Sequence, residues 1–322
     1  MITATSMLYL YVETPLHAGT GSGLSSIDLP IQRERTTQYP MIQGSGIKGK
    51  LRAAAEDALE AGKLTQSDVD VLFGAAKPVR KKANGSTSAQ QDEDDTAERS
   101  DHAGALIAGD ARILLFPVRT LNGVFAYTTS YDVLSRFKRD IERKETELPW
   151  KVPASLDNEY TVLVTTKSDV QSNSTIVMEE FSYDTKPDTS VDTIAKWLAE
   201  NALPDLGGDY WANKLKSSLV ILPDVVFRDF ALYATEVITR VRLNRETKTV
   251  DTGALWTEEH LPTDTLMYVP MYATNSRKKD KDMSGEAILK TMHNLNNTYL
   301  QLGGDETVGR GLVRIRWGNI TE

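Results

Sequence analysis

Apolar and polar positions along this chain follow two clear periods, and the places where one gives way to the other divide it into elements. Over residues 6–14, Leu8, Leu10 and Val12 alternate with Tyr9, Tyr11 and Glu13, the pattern of a strand. A loop rich in Gly and Ser follows over 15–26, and residues 39–43 form a short extended piece. At Gly44 the period changes. Ile47, Leu51, Ala54, Ala55, Ala58 and Leu59 recur at helical spacing, and Gly62 is placed to terminate that helix. Residues 105–118 and 124–130 read as neighbouring strands around the turn Leu121-Asn122-Gly123.

Over 236–259, Val237, Thr239, Val241 and Leu243 alternate with Ile238, Arg240, Arg242 and Asn244, residues 244–248 turn, and 249–256 return. This predicts a long hairpin with a basic outgoing strand. A strand over 265–272, a helix over 284–302 and a final strand over 312–317 complete the series. Two stretches stand apart. Residues 77–104 run from basic through small and polar to acidic with few apolar positions, which predicts a mobile insertion. Residues 131–223 mix short helices, clearest over 191–202, with extended pieces whose order the pattern leaves open. No internal repeat is visible. The order strand, helix, strand pair, interruption, helix, strand predicts an α+β fold with a ferredoxin-like core. On this reading residues 1–322 are one domain, with insertions at about 77–104, 131–223 (lid-like) and 236–259.

Composition removes several chemistries. The chain has no cysteine, which excludes disulfides, thiolate catalysis and cysteine-type zinc sites. Its four histidines, His17, His102, His260 and His293, include no His-x-x-x-His pair, so a histidine-rich metal site is not expected. No apolar run approaches the roughly 20 residues of a membrane-spanning helix. The start lacks the basic and apolar regions of a signal peptide, so a cytoplasmic location and no membrane partner are expected. A net charge of −8 argues against indiscriminate coating of nucleic acid, although local positive clusters still attract phosphate.

One such cluster is Arg33, Arg35, Lys48, Lys50 and Arg52, opposed only by Glu34. Part of it lies in Gly44-Ser-Gly-Ile-Lys-Gly-Lys50, which fits G-x-x-x-x-G-K, but Leu51 stands where a P-loop needs Ser or Thr for magnesium. The segment therefore reads as an anion-binding helix start rather than an NTPase loop, with Ser45, Lys48 and Arg52 on one face. Its bland counterpart is an ordinary solvated helix. Gly303, Gly304, Gly309 and Gly311 form a second flexible loop, where helix termination explains one glycine but not four. Asp28, in Ile27-Asp28-Leu29-Pro30-Ile31, is either a surface charge or a group that orients a ribose hydroxyl or holds a divalent cation. His17 is a general base or a packed imidazole.

Five segments in this order form a combination more specific than any one of them. They are Thr14-Pro-Leu-His17-Ala-Gly19, Ile27-Asp28-Leu-Pro-Ile-Gln-Arg-Glu34, Ile42-Gln-Gly44-Ser-Gly-Ile-Lys48-Gly-Lys-Leu-Arg52, the hairpin ending Gly253-Ala-Leu-Trp256, and Gly303-Gly304-Asp-Glu-Thr-Val-Gly309-Arg310-Gly311. Together they resemble the RAMP superfamily of CRISPR proteins, in particular the backbone subunits of type III-B (Cmr) effector complexes. The resemblance implies a ferredoxin-like, RRM-like palm, stacked with other copies of itself in a helical filament along a CRISPR guide RNA, beside other Cmr subunits. The hairpin would be a thumb wedged into the guide–target duplex, with single-stranded target RNA cut beside each wedge. Asp28 would then be the cleavage aspartate, holding a divalent metal, Mg or Mn, and His17 a second catalytic group. RNA contacts would come from Arg33, Gly44, Ser45, Gly46, Lys48, Lys50 and Arg52, from Arg240 and Arg242 of the hairpin, and from Gly303, Gly304, Gly309 and Arg310. A non-cutting guide-binding scaffold and an endonuclease that processes precursor RNA remain the alternatives.

Overall fold

A computed structural model describes residues 1–23, 26–75, 102–144, 147–156, 158–295 and 297–321. Its strands are β1 (Ala4–Val12), β2 (Met41–Ile42), β3 (Leu106–Ala108), β4 (Ala111–Arg119), β5 (Phe125–Ser130), β6 (Thr161–Val164), β7 (Thr175–Met178), β8 (Phe181–Pro187), β9 (Leu219–Leu222), β10 (Glu236–Leu243), β11 (Val250–His260), β12 (Leu266–Ala273), β13 (Tyr299–Gln301) and β14 (Leu312–Trp317). The helices are α1 (Gly44–Glu60), α2 (Gln66–Phe73), α3 (Tyr131–Ile141), α4 (Thr189–Asn201), α5 (Tyr210–Ser218), α6 (Asp224–Tyr233) and α7 (Gly285–Asn294).

One large mixed sheet runs β13-β14-β1-β12-β4-β5-β9-β6-β8-β7, with β2 added to β4 and β3 to β12. At its centre β14, β1, β12 and β4 are all antiparallel, with Leu8 opposite Val269 on one side and Trp317 on the other. Helix α1 connects β1 towards β4, and α7 connects β12 to β14. The strand that completes this central set is therefore β12, not β5. The pattern along the chain placed residues 105–118 and 124–130 as the core pair, because they are neighbours in sequence. They do pair, but β5 carries the sheet outward to β9 and the 131–223 segment.

That segment is built into the fold. Alternation along β1 implies one covered and one wet face, yet Leu8, Tyr9, Leu10 and Tyr11 are all buried. Helix α7 packs on β1 and β12, while Phe137 of α3 meets Tyr9 and Tyr268 at ring distances of 6.3 and 5.0 Å. Trp150 and Trp197 extend the same aromatic group. A strand covered on both sides needs apolar residues on both, and tyrosine satisfies that requirement while resembling a polar position.

Two further expectations change. The helix expected over 284–302 ends at Asn294, and Tyr299–Gln301 instead pairs with β14. Asn294 and Asn297 favour local side-chain bonds over continued helix. The expected mobile insertion lies outside the described residues from 77 to 101. Of its remainder, Ala103 is tied to Gly74 by a β-bridge.

Candidate active site and nucleic-acid interface

Four consecutive residues at the end of β11, Thr257, Glu258, Glu259 and His260, organise the site. Strand β10 pairs with one edge of β11, Glu236 facing His260 and Arg240 facing Trp256. The other edge is taken by the loop after β1: Leu16 bridges Leu261, and Leu29 bridges Glu258. Every other side chain of β11 points the opposite way, so successive residues reach different partners.

Thr257 holds Asp28. Its backbone N–H (2.8 Å) and Oγ1 (3.0 Å) both donate to Asp28 Oδ2, while Asp28 N–H donates to Thr257 Oγ1. These bonds, the backbone one foremost, hold the exposed Asp28 carboxyl below its ordinary value, so it is an anion at neutral pH. It is thus poorly suited to be a general base and well suited to bind a cation or accept from a ribose hydroxyl. No other carboxylate or histidine among the described residues joins Asp28 in a group of three metal-ligating side chains. A magnesium-type ion there would take one protein oxygen and rely on water and phosphate oxygens, a common pattern for that ion.

His17 Nδ1 lies 2.7 Å from the carbonyl oxygen of Glu259. A carbonyl only accepts, so Nδ1 carries a proton, and the tautomer this bond selects has Nε2 as its base or acceptor. Gly19 leaves room for that nitrogen: a Cβ there would sit 2.6 Å from it. Gly303 serves the same loop, since its φ of +78° suits glycine and a Cβ would lie 2.2 Å from the His17 carbonyl oxygen. Gly304 N–H donates to that oxygen at 2.9 Å.

Glu259, 3% exposed at its side chain, receives Arg33 Nη2, Thr235 Oγ1 (2.8 Å) and Ile31 N–H (3.0 Å). Arg33 also donates to the carbonyls of Gln38 and Ala231. Its guanidinium is thus engaged by groups of the chain itself, although a free charge was expected for an RNA contact. Arg240 is engaged in the same way. It turns inward to the buried Glu258 (2.6 Å) and the half-buried Asp305 (3.4 Å), whose carboxylates attract a countercharge. Arg242, by contrast, is 72% exposed and meets only the surface carboxylate of Asp251. Arg310 is half-buried, its charge felt by Glu236 and His260.

At the α1 start, Gly44 cannot meet a phosphate through its own face. A Cβ there would lie 2.6 Å from the Ala108 carbonyl, and its N–H already donates to Asp110 Oδ1 at 2.8 Å. An internal carboxylate therefore takes part of the anion-binding capacity expected of this helix start. Ser45 and Gly46 are exposed, and Gly49 has open space above it. Lys48 is partly buried, and burial with the neighbouring Arg52 keeps it below the usual lysine range. Arg52 pairs with Glu56 and donates to the Gly74 carbonyl. Lys50 reaches Glu306 at 3.8 Å, joining α1 to the glycine-rich loop, where Gly309 has φ +79° and nothing near it.

Comparison with known proteins shows the family. A family model described as the RAMP superfamily matches residues 9–314. The chain is also 37% identical over 319 residues to the CRISPR system Cmr endoribonuclease Cmr4 of Pyrococcus furiosus, covering 97% of this chain and 95% of that one. The chain belongs to the RAMP superfamily. A crystal structure of oligomeric Cmr4 from the same organism superposes on this RAMP chain with a TM-score of 0.67 at 30% identity, covering 99% and 100% of the two chains. A chain of the type III-B Cmr-beta assembly bound to cognate target RNA shares the fold, with a TM-score of 0.68 at 20% identity and 98% coverage of each.

In this RAMP chain the structure brings Asp28, His17, Gly303 and Gly304 together around the hairpin base, and leaves Ser45, Gly46, Lys48 and Arg52 on α1. Thr257, Glu258, Glu259, His260 and Asp305 were missed as site residues. The signal available was two acidic residues and a histidine in succession where the hairpin's alternation ends.

Proposed function

We propose that this chain is a guide-RNA-binding, filament-forming backbone subunit of a type III-B Cmr effector complex, and that it cleaves guide-complementary target RNA at regular intervals. The observation that carries the reading is that Asp28 is hydrogen-bonded to Thr257, part of the same strand that forms the hairpin. An element that wedges the duplex and a group that acts on the backbone would then keep a constant spacing. The hairpin has the surface for it: Val237, Val241, Leu243, Val250 and Leu255 are exposed, about half or more of each. Apolar side chains turned to water on a two-stranded ribbon fit an unstacked base better than they fit solvent.

On this reading β14, β1, β12 and β4 with α1 and α7 are a ferredoxin-like palm, and β10–β11 the thumb of a single domain. Ser45, Gly46, Lys48 and Arg52, with Gly309 and Arg310, hold the guide backbone and leave sequence discrimination to base pairing. His17 Nε2 is placed to take a proton. The Asp28 carboxylate orients a ribose hydroxyl or holds a divalent cation, Mg or Mn, which would supply charge neutralisation at the scissile phosphate. The partners are guide RNA, target RNA, further copies of the chain and other Cmr subunits. The location that goes with them is the cytoplasm. Among the described residues no helix is long and apolar enough to cross a membrane.

The experiment is cleavage of complementary RNA by the assembled complex, with magnesium or with EDTA, for the natural chain and Asp28→Ala. Regularly spaced fragments that vanish in Asp28→Ala while guide binding persists are expected. A single fixed cut would indicate a processing enzyme. Undiminished cleavage by the fully assembled variant would remove Asp28 from the chemistry.

A further inference from the structure

Behind the hairpin base, Glu258, His260 and Asp305 turn one ligand atom each towards a common point, all three within 4.8 Å of one another. Glu258 and His260 share a face of β11 because they are two apart. Asp305 comes from the glycine-rich loop, where it adopts φ +60°, a left-handed conformation that aspartate tolerates better than most residues. His260 is fully buried, and neither ring nitrogen has a hydrogen-bond partner. Its Nε2 faces Glu258 Oε2 at 3.8 Å and Asp305 Oδ2 at 4.0 Å. A buried imidazole that faces two carboxylates without a hydrogen bond to either has a ligand nitrogen uncommitted.

The cation now present is the Arg240 guanidinium. It contacts the same two oxygens, Glu258 Oε2 at 2.6 Å and Asp305 Oδ2 at 3.4 Å, and its Nη2 makes no hydrogen bond. Both carboxylates share this one guanidinium, and the Arg310 charge is close enough to be felt at His260. Burial, then His17 and Arg310, push that imidazole below its ordinary value. A divalent ion balances both carboxylates and uses the unpartnered nitrogen as well.

We propose that Glu258, His260 and Asp305 form a binding site for a first-row divalent cation such as Mn²⁺, in competition with Arg240. Two oxygens and one imidazole suit such an ion better than calcium, which prefers oxygen alone. Ligands about 2.1 Å from one ion lie about 3.0–3.6 Å apart. From 3.8 and 4.0 Å, the side chains therefore need to close by at most about 1 Å once the guanidinium swings towards the outer hairpin. This site does not include Asp28 and does not depend on the cleavage reading.

Mn²⁺ titration of the purified, metal-stripped full chain, followed by electron paramagnetic resonance, tests it. Arg240→Gln should bind Mn²⁺ at least tenfold more tightly than the natural chain, with an imidazole ¹⁴N coupling in the pulsed spectrum. Asp305→Asn, a loop change compatible with the left-handed backbone, should weaken binding at least tenfold, and His260→Gln should erase the ¹⁴N coupling. Circular dichroism establishes that each variant is folded, and Asp305→Asn in the natural background gives a second reading should Arg240→Gln not fold. Mn²⁺ affinity indifferent to both Arg240→Gln and Asp305→Asn overturns the proposal. So does a ¹⁴N coupling that survives His260→Gln.

Discussion

Replacing Arg33 by methionine separates a structural arginine from an RNA-binding one. In the structure the Arg33–Glu259 pair is nearly enclosed, with side-chain exposures of 12% and 3%. Arg33→Met keeps much of the volume but leaves the Glu259 carboxylate without its countercharge, a loss of about 3–5 kcal/mol for a buried pair broken on one side. Adding Glu259→Gln removes the stranded charge. The glutamine oxygen can accept from Ile31 N–H while its amide N–H donates to Thr235 Oγ1, leaving the Gln38 and Ala231 carbonyls short of a donor, about 1 kcal/mol each, and the Leu232 carbonyl short of a long, weak one. The double variant should therefore be less damaged than the single one, by about 2 kcal/mol. At a urea m value of about 3 kcal/mol/M, the single change should lower the unfolding midpoint by about 1–1.7 M and the double by about 0.7 M. Guide-RNA affinity measured against salt on the folded double variant should keep its slope. A midpoint nearly unmoved in Arg33→Met, with a slope reduced by about 0.7, would show instead that this guanidinium serves a phosphate.

Three further outcomes are expected. Lys48→Ala with Arg52→Ala should weaken guide binding whatever the guide sequence and reduce the log–log salt slope by about 1.4, two single-strand contacts; an unchanged slope places the guide elsewhere. Replacing residues 241–253 by a short Gly-Ser turn should leave the isolated subunit folded by circular dichroism, since Val241, Leu243 and Val250 are exposed, while the assembled complex loses regular cleavage spacing; an unfolded monomer or an unaltered fragment ladder rules out the wedge. Because Thr257 lowers the Asp28 value in the folded chain, that bond stabilises above the unfolded value of about 3.9, and the stabilisation fades as pH falls through the lower folded value. The ¹³Cγ signal of Asp28, identified by its loss in Asp28→Asn, should therefore be mostly that of the anion at a pH of about 3.9, where an unperturbed aspartate is half protonated, and a half-protonated shift there would refute the assignment.

What depends on near neighbours can be read along the chain. Helical spacing from Ile47 to Leu59 located α1, alternation through Val237–Leu243 and the Asn244 turn located the hairpin, and Asp28 and His17 stood out within short motifs. Tertiary structure alone decided what depends on residues far apart in the chain. Tyr9 and Tyr11 looked like the wet side of a strand, but Phe137 of α3 packs on Tyr9, and Tyr11 is buried with its hydroxyl bonded to Tyr127 and Asp264. Arg33 and Arg240 counted as available positive charge, but Glu259, 226 residues from Arg33, and Glu258, 18 residues from Arg240 across the hairpin, pair with them. Glu258, His260 and Asp305 meet only because the glycine-rich loop closes against the backbone of His17. The physical reason is the same throughout: period and turn chemistry act over a few residues, whereas burial of a charge and convergence of ligands are properties of packed surfaces, which no local pattern encodes.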